Sequence, residues 1–335
     1  MLKFALFGAG RIGAMHAANI AANPQAELAW VFDVNKDAAE KVASRHGART
    51  AASIEAALAD ASVGAVLIAS STDTHVPLIT ASARAGKSIL CEKPIDLDIR
   101  KVEQCRRDIA GSKVPVQIGF NRRYDATHRA VRQAVAAGEI GTLEVLIITS
   151  RDPELAPMPI LQGSGGIFRD MTIHDFDLAR FILGEEPVEV SATGSVKVDP
   201  VVATLNDYDT VMVTMKAQSG ALVHINNSRR CVYGYDQRVE AFGSKGMVQS
   251  DNPMPNMLKR SGAAATQALG PLHYFFIERY MQAYLDELNE FIDRTNKGLP
   301  PTVDFEDGRK ALIIADAAFG SIRTGRTVSV NYGPT

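Results

Sequence analysis

The 335-residue sequence has no strong excess of either charge and no long apolar run. Its 36 basic and 38 acidic residues give a formal net charge of −2, and Lys and Arg form no block or stripe. Nucleic acid is therefore not an expected partner, because phosphate binding depends on clustered basic side chains. No run approaches the roughly 20 apolar residues that a membrane-spanning helix requires. We therefore expect no contact with a membrane.

Cysteine is scarce, with only Cys91, Cys105 and Cys231 and no C-x-x-C spacing. An odd number in that arrangement indicates neither a disulfide framework nor a structural zinc site. We therefore expect reduced thiols, no bound metal and a cytoplasmic location. The short apolar run over residues 1–7 leads directly into glycines, which favours a first β-strand over a secretory signal.

The length predicts two domains. Over the first 120 residues, short β-rich runs alternate with Ala-rich helical stretches, which is typical of βαβ units and a parallel sheet. The predicted strands are residues 3–7, 27–34, 65–69, 88–92 and 116–120. The predicted helices between them are residues 15–23, 36–46, 53–59 and 75–85. Residues 1–120 are thus expected to form a doubly wound α/β (Rossmann) domain.

The pattern of predicted elements changes after residue 120, where several β segments follow one another without intervening helices. This order predicts an antiparallel or mixed sheet, so residues 121–335 are expected to form an α+β domain with an open, mostly antiparallel sheet. The predicted strands are residues 188–198, 208–217, 221–229, 237–242 and 246–250. The predicted helices are residues 124–137, 170–183, 275–295 and 307–324.

A G-x-G-x-x-G motif follows the first strand and opens a helix, in the order Gly8, Gly10, Arg11, Ile12 and Gly13. In that context the first glycine allows a tight turn, the second allows close approach of a pyrophosphate, and the third allows helix and strand to pack closely. The helix N-terminus adds partial positive charge for the phosphates. The alternative is a glycine-rich turn without a ligand.

Asp33 ends the second predicted strand, 25 residues after Gly8. This is close to the spacing expected of the acid that binds the adenosine ribose hydroxyls. A carboxylate at that position repels the extra phosphate of NADP, so the sequence predicts NAD as the cofactor. A solvated loop aspartate is the competing interpretation.

Two further clusters contain residues suited to alcohol oxidation, which requires a base for the hydroxyl proton and a donor for the developing alkoxide. Glu92-Lys93-Pro94 ends a predicted strand, where the lysine is available to an oxygen; a surface ion pair with Glu92 is the alternative. Asp170 and His174 lie four residues apart, so a helix would place them on one face. An N-capping aspartate beside a structural histidine would explain the second pattern equally well.

These motifs together resemble the Gfo/Idh/MocA family of NAD(P)-dependent oxidoreductases over essentially the whole chain. Two stretches, Gly119–Asp125 and Ser164–Asp175, are most similar to family members that oxidise a ring hydroxyl of an inositol, with myo-inositol as the leading substrate. The resemblance implies a small polyol as substrate, NAD as cofactor and a homotetramer formed through the open sheet.

The resemblance also implies roles for individual residues. His174 would accept the proton, Asp170 would orient the imidazole of His174, and Lys93 would hydrogen-bond the reacting hydroxyl. The implied substrate contacts are Lys93, Arg123, Asp152, Asp170, His174 and Tyr235. The implied cofactor contacts are Gly8, Gly10, Arg11, Ile12, Gly13, Asp33, Thr72, His75, Glu92 and Lys93. Many family members have Pro-Asn where this chain has Asp73-Thr74.

Alternatives remain open at this point. The enzyme could oxidise another inositol isomer or a pyranose, since sites for neutral polyols discriminate through the placement of donors and acceptors. A non-catalytic NAD-binding regulator with the same fold is a second alternative, because fold does not determine function. A zinc alcohol dehydrogenase is the weakest, because the sequence has no suitable Cys/His ligand set.

Overall fold

The computed structural model describes residues 1–333 and divides into two compact units. The first unit consists of residues 1–121 and 284–310, and the second consists of residues 122–283 and the chain from residue 311 onward. Within the described chain, no helix combines the length and apolar character needed to cross a membrane.

The first unit is built from alternating strands and helices. Its strands are β1 (Leu2–Phe7), β2 (Ala26–Phe32), β3 (Arg49–Thr50), β4 (Ala65–Ile68), β5 (Ser88–Glu92) and β6 (Val116–Gly119). Its helices are α1 (Arg11–Ala22), α2 (Lys36–Arg45), α3 (Ile54–Ala59), α4 (His75–Arg84) and α5 (Ile99–Ile109). A 3-10 turn (Thr72–Thr74) precedes α4.

The six strands form one parallel sheet in the order β3-β2-β1-β4-β5-β6. This is the strand order of a Rossmann domain, as predicted. All four residues of β4 are buried, as expected for a strand that is covered on both faces. The chain reverses its direction of progress through the sheet at β1, and dinucleotides bind at such a switch point.

The second unit begins with a 3-10 turn (Asn121–Tyr124) that overlaps the boundary. Its helices are α6 (Ala126–Ala136), α7 (Met158–Gly163), α8 (Ile167–Asp170) and α9 (Thr172–Leu183), and its strands are β7 (Leu143–Arg151), β8 (Pro187–Ser195), β9 (Thr210–Ala217), β10 (Leu222–Ser228), β11 (Asp236–Gly243) and β12 (Gly246–Ser250). The last elements of the chain are α10 (Phe276–Asn296), α11 (Phe305–Thr324) and β13 (Val328–Ser329).

The second sheet has the order β12-β11-β7-β10-β9-β8-β13. Its pairs are antiparallel except for β7 with β10. The expectation of an open, mostly antiparallel sheet is confirmed. Its central strand β7 was not among the predicted strands, and α9 begins only after a turn at Met171 instead of forming one helix from Asp170.

The two long C-terminal helices each contribute to both units. The helix α10 contains one non-helical residue, Tyr280, and beyond it Leu288, Phe291 and Ile292 belong to the core of the first unit. The ring of Phe291 lies 6.0 Å from that of Phe4 on β1. The later part of α11 is buried instead in the core of the second unit.

Candidate active site

The glycine-rich turn lies between β1 and α1, at the carboxyl edge of the parallel sheet. Gly8 has a φ of +99°, and a Cβ there would lie 2.5 Å from the backbone of Ala69. A Cβ on Gly13 would lie 2.0 Å from the carbonyl oxygen of Gly8. At Gly10, by contrast, a Cβ would meet nothing within 4 Å. The first and third glycines are required by the protein's own packing, whereas the second leaves open space.

That open space adjoins the start of α1. Gly10 is the N-cap residue, and Arg11 and Ile12 are the first two residues of the helix. Backbone N–H groups and the helix dipole give this end partial positive charge. The turn therefore has both the room and the electrostatic sign that a dinucleotide pyrophosphate requires.

Asp33 follows the end of β2 and is half-buried. Its Oδ2 accepts a hydrogen bond of 2.6 Å from the backbone N–H of Ala9, and its Oδ1 accepts one of 2.8 Å from the N–H of Asn35. The carboxylate thus braces the glycine-rich turn and retains lone pairs for a ribose hydroxyl.

Glu92 is the last residue of β5, and Lys93 follows it through a half-buried turn. The Oε1 atom of Glu92 lies 2.8 Å from Nε2 of His16, which is a buried residue of α1. This contact joins α1 to the residue before Lys93. The peptide bond between Lys93 and Pro94 is cis.

His75 begins α4 and is only 1% exposed. Its Nδ1 lies 2.8 Å from the carbonyl oxygen of Pro94, and its Nε2 lies 3.1 Å from that of Ser70. Burial lowers the pKa of His75, so the ring is neutral near pH 7. In the structure, these two contacts of His75 therefore hold the backbone after Lys93. Thr72, in the 3-10 turn before α4, is half-buried.

In the second unit, two glycines with positive φ, Gly165 and Gly166, precede the short helix α8. Asp170 is the last residue of α8, and His174 is the third residue of α9. Both side chains are half-buried. The pair therefore lies one helical turn apart along the chain, across the break at Met171.

Asp170 forms an ion pair that the sequence did not indicate. Its Oδ2 accepts a hydrogen bond of 2.9 Å from Nη1 of Arg229, the residue after β10. Asp152 follows β7, and its backbone N–H donates to the carbonyl oxygen of Ser228. Because Arg151 pairs in register with Ser228 and with Asp236, the ends of β7 and β10 and the start of β11 lie at one edge of the sheet. Asp152, Arg229 and Tyr235 are thus positioned at the same edge.

Arg122 and Arg123 have different environments. Arg123 donates two hydrogen bonds to Asp177, of 2.8 and 2.6 Å. Arg122 is buried and donates 2.6 Å to Asp175, and its other Nη atom lies 3.3 Å from the hydroxyl of Tyr235. The family resemblance implied Arg123 as a substrate contact, whereas Arg122 is the arginine bonded to Tyr235, another implied contact.

Asp175, which follows His174, anchors a buried polar network. It accepts hydrogen bonds from Ser150 at 2.6 Å and from Asn227 at 2.7 Å, in addition to Arg122. Burial raises the pKa of the Asp175 carboxyl, and these three donors oppose that rise. The residue next to His174 is therefore held from three directions. An i, i+1 pair of His and Asp was the only signal in the sequence.

Comparison with known families agrees with this fold. Residues 2–120 match the model of an oxidoreductase family with an NAD-binding Rossmann fold, and residues 128–249 match the GFO/IDH/MocA C-terminal domain. The chain belongs to the Gfo/Idh/MocA family. Its N-terminal domain binds NAD, the cofactor that the sequence predicts.

Several Gfo/Idh/MocA relatives match over nearly their whole length. The inositol 2-dehydrogenase of Rhizobium meliloti is 47% identical over 98% of this chain and 99% of its own. The structure of a myo-inositol dehydrogenase from Corynebacterium glutamicum superposes with a TM-score of 0.96 at 48% identity, covering 100% of both chains. A scyllo-inositol dehydrogenase from Lactobacillus casei, with bound NAD(H) and scyllo-inositol, has a TM-score of 0.92 at 28% identity, covering 98% of this chain and 99% of its own.

Proposed function

We propose that this Gfo/Idh/MocA protein oxidises the 2-hydroxyl of myo-inositol to a ketone, 2-keto-myo-inositol (scyllo-inosose), with NAD as the oxidant. The near full-length match to the Rhizobium meliloti inositol 2-dehydrogenase carries this proposal. An identity of 47% without a large insertion or truncation favours the same substrate class as well as the same fold.

The residues of the first unit fit the cofactor. We assign the pyrophosphate to the space beside Gly10, with Arg11 and Ile12 supplying helix N-terminal N–H groups, and the adenosine ribose to Asp33. Bound NAD supplies a hydride acceptor at C4 of its nicotinamide ring. Thr72, His75 and Glu92 remain proposed residues of the cofactor side; the burial of His75 favours a role through the backbone.

The proposed chemistry needs a proton acceptor and a donor to the reacting oxygen. We assign the first role to the neutral imidazole of His174, with Asp170 orienting it, and the second to the ammonium of Lys93. The lysine stabilises negative charge on the oxygen as the proton leaves. Arg123, Asp152 and Tyr235 are proposed contacts to the other ring hydroxyls.

NADH formation on a panel of substrates tests the proposal. We expect turnover on myo-inositol with NAD to exceed that on scyllo-inositol, chiro-inositol, glucose and xylose, and turnover with NADP to be weaker. A higher kcat/KM on scyllo-inositol would favour the second candidate, a scyllo-inositol dehydrogenase, which the Lactobacillus casei structure supports at lower identity. NAD binding without turnover on any polyol would favour a non-catalytic regulator.

A homotetramer formed through the open face of the second sheet is also part of the proposal. Leu222, Val145, Phe242 and Met247 form a cross-strand row in register on β10, β7, β11 and β12. Three of them are 44–48% exposed. Apolar rows of this kind mark interfaces. The molar mass measured by light scattering should be that of a tetramer for the wild type. Phe242→Lys should lower it, because the variant places a charge in the proposed interface.

We also propose a cytoplasmic location, which the three free, buried cysteines support. Cell fractionation with a periplasmic marker checks this assignment.

A further inference from the structure

Arg229 is almost completely buried, with a relative exposure of 1%. It follows β10 directly, and its backbone N–H donates to the carbonyl oxygen of Asp209. A guanidinium removed from water is destabilising unless carboxylates and hydrogen bonds compensate it. The groups that compensate the buried charge of Arg229 therefore indicate the role of this side chain.

Three carboxylates surround Arg229, each from a different segment. Asp170 on α8 accepts from Nη1 at 2.9 Å, and Oδ2 of Asp207 lies 3.9 Å from Nη2. Asp152, after β7, acts at longer range. Burial alone would lower the pKa of Arg229, but these three carboxylates raise it above its ordinary value. The side chain is a fixed cation among carboxylates.

The contacts of Arg229 and Asp207 hold α8 at its two ends. Oδ1 of Asp207 accepts a hydrogen bond of 2.9 Å from the N–H of Ile167, the first residue of α8. Arg229 binds Asp170, the last residue. A four-residue helix has too few internal hydrogen bonds to fix its own position. Arg229 therefore helps to fix the location of the Asp170 carboxylate.

Several polar atoms of Arg229 and Asp207 have no hydrogen-bond partner among the described residues. Nε and Nη2 of Arg229 and Oδ2 of Asp207 are buried and make no hydrogen bond to any residue from 1 to 333. A purely structural arginine at this depth would be expected to have its donors satisfied. Among residues 1–333, the one hydrogen bond of the Arg229 side chain is to Asp170, which points to that carboxylate as the group being positioned.

We propose that Arg229 is a positioning residue of the dehydrogenase: it holds the Asp170 carboxylate in the orientation that Asp170 needs in order to orient His174. This inference rests on the function proposed above. The cation has two effects on the pair: it fixes the carboxylate in place, and it offsets part of the negative field that Asp170 exerts on the imidazole.

The sign of the second effect gives a diagnostic readout. Without the cation, the negative field at His174 increases and stabilises the protonated imidazole. The acidic limb of the kcat/KM profile for oxidation should then move to higher pH, because only the neutral imidazole accepts a proton. Loss of packing alone would lower activity without moving that limb.

The test compares Arg229→Gln with wild type, using NAD and myo-inositol. We expect kcat to fall by about 10–100-fold, as for a misplaced catalytic group. The KM for NAD should stay within about twofold, because the change is confined to the second unit. The acidic limb should move to higher pH. A kcat near that of wild type, or a loss at every pH with an unmoved limb, would overturn the inference.

Arg230→Gln is the matched control, since Arg230 directly follows Arg229 but is exposed, and its side chain donates to the carbonyl oxygens of Lys197 and Val198 instead of to α8. It should leave kcat and the pH profile nearly unchanged. If Arg229→Gln does not fold, Arg229→Lys decides: the ammonium keeps the charge but not the geometry. We then expect an unmoved limb and a kcat reduced by about 3–10-fold, and an unreduced kcat contradicts the inference. Wild type without polyol turnover would instead contradict the proposed function.

Discussion

The ring of His75 contacts the carbonyl oxygen of Pro94 at 2.8 Å, and Pro94 directly follows Lys93. The other ring nitrogen contacts the carbonyl of Ser70 at 3.1 Å, in the loop after β4. A neutral imidazole has one N–H and donates one hydrogen bond at a time. We expect Nδ1 to be the donor because its contact is the shorter, in which case His75 fixes the backbone beside Lys93.

Two amide substitutions separate the contacts of His75. The amide nitrogen of Asn takes the place of Nδ1, and that of Gln takes the place of Nε2. We therefore expect His75→Asn to retain more of the wild-type kcat than His75→Gln, because only Asn preserves the bond to Pro94. Steady-state kinetics with saturating NAD check this order. Equal losses would indicate that the Pro94 contact does not position Lys93.

His174→Ala should lower kcat by about 10²–10⁴-fold, as removal of a general base does. The affinity for NAD, measured by fluorescence titration, should be nearly unchanged. Added imidazole should restore part of the activity, since it supplies the missing base and cannot repair a packing defect. Near-normal turnover of the variant would remove His174 from the role.

The fold was predictable where burial of a strand requires a run of apolar residues in the sequence. The buried parallel strands are short apolar runs, and β4, over residues 65–68, coincides with one of them. The strand β7 also has a sequence signal, a β-rich run that follows Gly141 and ends before Pro153, although it is not among the predicted strands. Antiparallel pairing in most of the second sheet followed from strands in succession without helices.

The partners of the candidate catalytic residues were not predictable in the same way. Arg229 and Asp170 are 59 residues apart, and no local periodicity links them. Arg122 and Arg123 are adjacent in a 3-10 turn, and only the structure shows which one is bonded to Asp175 and which to Asp177. Motif spacing identifies residue types that suit a reaction, whereas their hydrogen-bond partners depend on tertiary packing.

Asp33→Ser should raise the KM for NAD and relax the discrimination against NADP by about tenfold, a change of about 1.4 kcal/mol. The reason is that the variant lacks the charge that repels the extra phosphate. Asp33→Asn is the matched variant, because it keeps an acceptor for the N–H of Ala9 without the charge. Both should relax the preference, but only Ser should also loosen the turn. An unchanged preference in both variants would show that another acid selects the cofactor.

Glu287, on α10, carries an unusual buried carboxyl in the first unit. The residue is 0% exposed, and neither oxygen has a hydrogen-bond partner within the described chain. Burial, with smaller contributions from Glu92 and Glu290, raises the pKa of Glu287 well above its ordinary value. The folded protein therefore keeps a proton on Glu287 at pH values where the unfolded chain has released it.

This difference fixes the sign of a pH dependence. Above the ordinary carboxyl pKa the unfolded state binds fewer protons than the folded state, so the contribution of Glu287 to stability becomes less favourable as pH rises. Glu287→Gln abolishes the titration without changing the shape of the side chain. It should raise Tm at pH 8 by about 2–4 °C for each kcal/mol gained, and by much less at pH 5. Glu40→Gln, at an exposed position on α2, should show no such difference. Parallel Tm–pH curves for wild type and Glu287→Gln would mean that Glu287 is ionised in the folded protein.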